Sequence, residues 1–317
     1  MDDQSCIVGV DLGGTRIKAG RLDRTGKILD RHEAPSRVGY EQLIDRLCEA
    51  VQAVDPAGGA EAVGLGSPGP LDPESGIVLD APNVPGLAGR PLAKDLQSAC
   101  ARPVFLENDA NVAALGEWWI GGGRDAKSLV VITLGTGVGG GIVLDGRLLV
   151  GSCHAAGEIG HMCMDPNGPE CGCGSSGCLE AFVSGPAIAG RLIDALRGGA
   201  SSCLAERFAA DRFSLTTEDV AAGCAEGDPL CMKIMAEAGT RLGIACANLV
   251  HLIAPERILI GGGVSGAGEF LLGPARVEMN ARAFPGPGRA VRLERATLGN
   301  DAGFVGAARH AWNALES

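Results

Sequence analysis

The chain has 317 residues, 46% of them apolar, with 27 Lys and Arg against 38 Asp and Glu, a formal net charge of −11. Glycine is the outlier at 50 residues, about twice its usual share of ~7%, yet no Gly-X-Y period accompanies it, which excludes collagen, and the apolar content excludes a disordered chain. Acidic charge combined with only seven Phe, three Trp and one Tyr leaves neither the cationic surface nor the stacking platforms that nucleic acid needs, so no nucleic-acid partner is expected.

The opening Met-Asp-Asp-Gln-Ser-Cys has no basic segment followed by an apolar core, so no secretory signal is expected. The uncharged stretch Ser128 to Leu144 is 17 residues long and broken by five glycines, so it reads as two strands and a turn rather than a membrane span. Twelve cysteines without a signal predict reduced thiols, a cytoplasmic protein and no membrane partner.

In chain order, Cys6–Asp11 reads as a buried strand, Gly13-Gly14-Thr15 as a turn, and Arg16–Leu22 and Lys27–Arg31 as two further strands. Leu43, Ile44, Leu47, Val51 and Val54 recur at helical spacing and predict a helix over Tyr40–Val54. Strands follow at Ala62–Leu65 and Val104–Leu106, with a short helix after Pro91 between them. A helix is predicted over Asn111–Trp119, with Asn108 or Asp109 as its N-cap and Gly121–Gly123 as its stop and a hinge. Beyond a cysteine-rich loop, helices are predicted around Pro186–Leu196, Thr217–Cys224, Pro229–Ile253 and Asp301–Leu315, with a strand at Arg257–Ile260 running into Gly261-Gly262-Gly263.

The opening pattern recurs. At a constant offset of 122, Leu12-Gly13 and Leu22-Asp23 coincide with Leu134-Gly135 and Leu144-Asp145, so a strand, a Gly/Thr turn and a second strand open each half. Two related α/β domains are therefore expected, 1–120 and 121–299, with the terminal helix of about 300–317 packing back on the first.

Each repeated turn carries chemistry. In Asp11-Leu-Gly13-Gly14-Thr15 glycine permits close backbone approach, so amides can face phosphate oxygens while Asp11 holds a Mg²⁺; the alternative is a bare hairpin turn. Gly135-Thr136-Gly137 is the matching turn, and Gly261, Gly262 and Gly263 suit a flat ring lying on bare backbone. Lys18 and Thr133 stand beside the two turns, and all these residues are assigned to ATP. Glu107-Asn108-Asp109-Ala110-Asn111 places carboxylates and amides at the end of an apolar strand, where ligands sit in α/β folds and where a carboxylate can accept the proton of an attacking hydroxyl. His161, Cys171, Cys173 and Cys178 supply a Cys₃His set for a structural Zn²⁺ in the loop 153–180, with Cys153 and Cys163 as further candidates. Glu158 and Glu180 flank that loop and suit a polyol. His154 is open to either reading, while His32, His251 and His310 read as surface or packing residues.

With these residues in place the chain resembles the ROK family of sugar kinases and regulators, in particular its bacterial glucokinase-like members. The resemblance rests on Val10–Thr15, Gly66–Gly69, Ala81–Asn83, Glu107–Asn111, Leu134–Gly137, Gly157–His161, Cys171 to Glu180 and Ile260–Gly263. It implies a two-domain actin-like (ribonuclease H-like) ATPase fold with an interdomain cleft, and ATP-dependent phosphorylation of a hexose, glucose first, at its 6-hydroxyl. Carried over by motif, Asp109 is the base, Gly69, Asn83, Asn108, Asp109, Glu158, His161 and Glu180 contact the sugar, and His161 with the three cysteines binds zinc. An N-acetylhexosamine kinase is the nearest alternative. A sugar-responsive regulator is disfavoured, because the first strand begins near Cys6 and leaves no room for a DNA-binding domain. A homo-oligomer, dimer or tetramer, is a family expectation.

Overall fold

The computed structural model describes residues 5–81, 84–211 and 214–316. Its elements in chain order begin with β1 (Cys6–Leu12), β2 (Arg16–Asp23), β3 (Ile28–Pro35), α1 (Tyr40–Val54), β4 (Val63–Ser67), β5 (Leu71–Asp72), β6 (Ile77–Val78), α2 (Leu92–Cys100), β7 (Val104–Asn108) and α3 (Asp109–Trp119). They continue with β8 (Ser128–Leu134), β9 (Val138–Leu144), β10 (Arg147–Leu148), α4 (Glu180–Val183), α5 (Gly185–Arg197), α6 (Ala205–Ala210), α7 (Thr217–Ala225) and α8 (Pro229–Ile253). The last are β11 (Arg257–Gly261), α9 (Glu269–Arg282), β12 (Arg292–Arg295) and α10 (Ala302–Leu315). Among the described residues no helix is long and apolar enough to cross a membrane.

The internal repeat is visible in the sheets. One runs β3-β2-β1-β4-β7 and the other β10-β9-β8-β11-β12, the same order of a hairpin extended on one side and parallel strands added on the other. In the first sheet β1 pairs antiparallel with β2, through Asp11 opposite Lys18, and parallel with β4. Side chains of β1 alternate between its faces. Cys6, Val8, Val10 and Leu12 join the core built with α1 and α2, while Ile7 joins Phe304, Val305, Ala308, Ala311 and Trp312 of α10 on the other side. The helix lies close on the strands because glycines floor it: a Cβ at Gly9 would stand 1.8 Å from the Phe304 carbonyl oxygen, and one at Gly64 1.8 Å from that of Ala307.

The chain forms two compact units, a first of residues 1–127, 141–157 and 297–317 and a second of 128–140 and 158–296. Residues 121–127, 141–157 and 297–299 thus fall in the first unit rather than in a contiguous second domain. Gly141 lies on α3, where a Cβ would come within 2.5 Å of Ala114, and Trp118 of the same helix reaches Gly146.

The turn at Gly121–Gly123 is fastened to α3 by Glu117, whose main-chain oxygen accepts the Gly121 and Gly123 amides. Its side chain, fully buried, accepts from the amides of Gly122 (2.8 Å), Thr297 (3.1 Å) and Leu298 (2.7 Å) and from the Thr297 hydroxyl (3.2 Å). Glu117→Ala strands those donors in the interior, and an unpaired buried donor costs about 1–3 kcal/mol, so a loss of at least ~3 kcal/mol is expected. Thermal melting checks this: a midpoint equal to that of the wild type would contradict it.

Candidate functional site

In the first unit the expected site residues gather where strands end. Asn108 is the N-cap of α3: its Oδ1 accepts from the Ala110 and Asn111 amides, at 2.9 and 3.2 Å, and its extended backbone (ψ 144°) settles the choice between Asn108 and Asp109. Its Nδ2 donates to the Gly69 carbonyl at 3.2 Å, joining two of the expected sugar contacts. Asp109 opens the helix, half-buried, with Oδ1 accepting from the Ala110 amide at 2.8 Å. A carboxylate there faces the positive end of the helix dipole. Asn83, expected at the sugar, lies outside the described residues.

The first hairpin turn is closed by the Gly13 amide donating to Arg16 and by the Ser36 hydroxyl donating to the Gly13 carbonyl. Gly14 and Thr15 stand at its open edge. Burial pushes the Asp11 carboxyl up to about 6, with Lys18 pulling in the opposite direction, and Lys18 itself donates to Asn300. α10 begins against Asp11, since a Cβ at Gly303 would meet its carboxyl carbon at 2.4 Å. A buried carboxyl with a single nearby cation is a group that a divalent metal would favour in its ionised form.

In the second unit the other turn and the triple glycine come together. Strands β8 and β11 pair in parallel with Thr133 opposite Gly261, so Gly135-Thr136-Gly137 and Gly261-Gly262-Gly263 share the carboxyl ends of neighbouring strands. Gly262 has φ +79°, and a Cβ on it would fall 2.2 Å from the Leu134 carbonyl oxygen, so no other residue fits. The turn is braced by the Gly135 amide donating to Gly137 and by the Gly185 amide donating to Gly135.

The cysteine loop folds around a single point. Ligand atoms of His161, Cys171, Cys173 and Cys178 all lie within 4.8 Å of one another. Cys173 Sγ stands 3.7 Å from Cys178 Sγ, and Cys171 Sγ 3.8 Å from His161 Nδ1. A tetrahedron with ligand bonds of roughly 2.3 Å has edges of about 3.8 Å, so these separations suit Zn²⁺. Burial pushes the Cys171 thiol up to about 12, and hydrogen bonding, led by the Ser175 backbone, lowers that of Cys173. Neither Cys153 nor Cys163 is in this group; Cys163 Sγ donates to the Ser176 carbonyl instead. His161 has two faces: Nδ1 lies toward the thiols, and Nε2 lies 3.9 Å from Glu158 Oε2. Glu180 ties the loop to the glycine turn, because Oε2 accepts from the Val138 amide at 2.9 Å while Oε1 stands 3.6 Å from Cys171 Sγ.

Glu107, part of the strand-end motif but given no separate role by the sequence, is buried and its Oε1 accepts from the Asn108 amide and from Asn111 Nδ2. His310 of α10, a packing residue as expected, bonds to the Leu106 backbone in the field of that carboxylate.

The sequence profile of the ROK family matches residues 7–313. A glucokinase of Thermotoga maritima is 39% identical over 304 residues, 95% of this chain and 96% of that protein. A ROK family glucokinase from Streptomyces griseus, solved in complex with glucose and AMPPNP, is 34% identical with a TM-score of 0.83 over 96% of this chain and 98% of that one. A ROK family transcriptional regulator superposes with a TM-score of 0.86 at 28% identity, over 98% of this chain and 78% of that one. The twin five-stranded sheets are those of the actin-like ATPase fold that the sugar kinases among these neighbours share.

Proposed function

The chain belongs to the ROK family, and from that premise we propose that it is an ATP-dependent glucokinase, moving the γ-phosphoryl group of ATP to the 6-hydroxyl of glucose. The observation that carries this reading is the likeness over nearly the whole chain to the Thermotoga maritima glucokinase, and the bound glucose and AMPPNP of the Streptomyces griseus enzyme support the substrate pair.

Asp109 takes the proton of the 6-hydroxyl as that oxygen attacks the γ-phosphorus and the bond to the ADP oxygen breaks. Gly69, Asn83, Asn108, Glu158, His161 and Glu180 hold the sugar; Asn108 does so from a fixed rotamer, because both ends of its amide are already bonded. The turns Gly13-Gly14-Thr15 and Gly135-Thr136-Gly137, held closed by the Gly13 and Gly135 amides, receive the phosphates together with Lys18 and Thr133, while Gly261–Gly263 offer bare backbone to the adenine. Asp11 would hold a Mg²⁺, which when bound would supply charge neutralisation at the phosphate oxygens. His161, Cys171, Cys173 and Cys178 would hold a structural Zn²⁺ with four protein ligands, which would fix the His161 ring beside Glu158. Twelve cysteines, none of them in a disulfide, support a cytoplasmic setting.

A coupled ADP-release assay across glucose, mannose, fructose, N-acetylglucosamine and N-acetylmannosamine tests the substrate. Glucose is expected to give the highest kcat/KM. A higher value for either N-acetylated sugar would move the assignment to an N-acetylhexosamine kinase, and no ADP release with any sugar would refute the kinase reading.

A further inference from the structure

Glu107 belongs to no expected contact with sugar, nucleotide or metal, yet it is 4% exposed and carries a carboxylate at the end of β7, one residue before Asn108. A buried carboxylate persists only where donors compensate its lost hydration. Here the donors are the Asn108 amide, 2.8 Å from Oε1, and Asn111 Nδ2, 3.0 Å from the same oxygen. Asn111 is itself buried, and among the described residues its Oδ1 has no partner, so its amide orientation rests on the bond to Glu107. His310 bonds to the backbone of Leu106, and although burial disfavours its charged form, the Glu107 carboxylate favours it.

From Glu107 a chain of bonds runs outward. The held Asn108 amide sets the backbone of the N-cap, the Asn108 side chain caps α3 through Ala110 and Asn111, and its Nδ2 grips the Gly69 carbonyl. Helix capping alone does not explain Glu107, because Asn108 already fills that role. We propose that Glu107 is a positioning residue for phosphoryl transfer: its carboxylate locks the β7–α3 junction so that Asn108 and Gly69 present the sugar to Asp109 at reacting distance. This inference rests on the glucokinase reading. A misplacement of ~1 Å at such a site is enough to lower the rate by about 10²-fold.

The effect is selective for the sugar side, and steady-state kinetics reads it. Glu107→Ala removes the acceptor, whereas Glu107→Gln keeps the size and one acceptor oxygen and removes the charge. With glucose varied at saturating ATP, KM for glucose is expected to rise about threefold in Glu107→Gln and at least about tenfold in Glu107→Ala, with kcat falling in the same order. With ATP varied at saturating glucose, KM for ATP is expected to stay within about twofold of wild type in both variants. A merely structural role would lower the melting temperature and the active fraction and leave both KM values alone. Should Glu107→Ala not fold, Glu107→Gln decides. Wild-type KM and kcat for glucose in Glu107→Gln, or equal rises in the two KM values, would overturn the proposal. The two failures are distinguishable: a wild-type protein inactive on every hexose refutes the glucokinase reading together with this inference, whereas an active wild type with unaffected variants refutes the inference alone.

Discussion

Replacing Asp109 with Asn is expected to lower kcat for glucose phosphorylation by about 10²–10⁴-fold while glucose still binds. The substitution preserves size and leaves an oxygen to accept the Ala110 amide, the bond that Asp109 Oδ1 makes at 2.8 Å, so the start of α3 and its Asn108 cap stay in place. What is lost is an acceptor for the proton of the attacking hydroxyl. A neutral alcohol that keeps its proton is a poor nucleophile toward phosphorus, and the remaining rate comes from positioning and from charge stabilisation around the phosphates. Calorimetric titration with glucose separates binding from chemistry: a glucose affinity within about threefold of wild type beside the fallen kcat is the expected pair. Near-normal turnover in the purified variant would remove Asp109 from the role of base, and lost affinity beside lost turnover would show that the substitution had disturbed Asn108 and Gly69 instead.

Most of the frame that carries Asp109 is legible in local pattern. The twin hairpins announce themselves through Leu12-Gly13 and Leu134-Gly135, and the sheets repeat one strand order because each hairpin seeds the same parallel extension. Helix α1 matches its apolar period from Tyr40 to Val54, since its stripe faces one side of the first sheet. What stays hidden is of two kinds. Helix α9 and strand β12 lack a local signal: Gly273-Pro274 interrupts the helical pattern inside α9, and Arg292-Leu-Glu-Arg295 is a short edge strand with one buried apolar residue. The other kind depends on contacts between distant residues. Glu117 reads as an ordinary polar position of a helix until Thr297 and Leu298, some 180 residues on, bring their amides to it. His310 gains its meaning from Glu107 in the same way. The cysteine loop is the opposite case, because Cys171, Cys173 and Cys178 are close in sequence and a glycine-rich turn has few ways to separate them; only the choice against Cys153 and Cys163 needed coordinates.

Metal removal is expected to have the second large effect. Protein purified without chelator is expected to carry one zinc per chain by elemental analysis, and stripping it is expected to lower the melting temperature by more than about 10 °C. Within the loop, backbone bonds such as the Cys171 amide to Ser175 and the Gly177 amide to Pro169 close small turns. Its ends are anchored in the same unit: Ile159 and Leu179 are buried, and Glu180 accepts from the Val138 amide and stands 3.6 Å from Cys171. Loss of the metal therefore releases the thiols, then the His161 ring and Glu158 beside it, so the KM for glucose is expected to rise as well. Ligand choice follows from two substitutions read side by side. Cys178→Ser, at a buried ligand position, is expected to abolish stoichiometric zinc, whereas Cys163→Ser, whose thiol faces the Ser176 carbonyl, is expected to retain it. Wild-type protein without zinc would refute the metal assignment outright, and zinc retained in Cys178→Ser but lost in Cys163→Ser would exchange the two ligands.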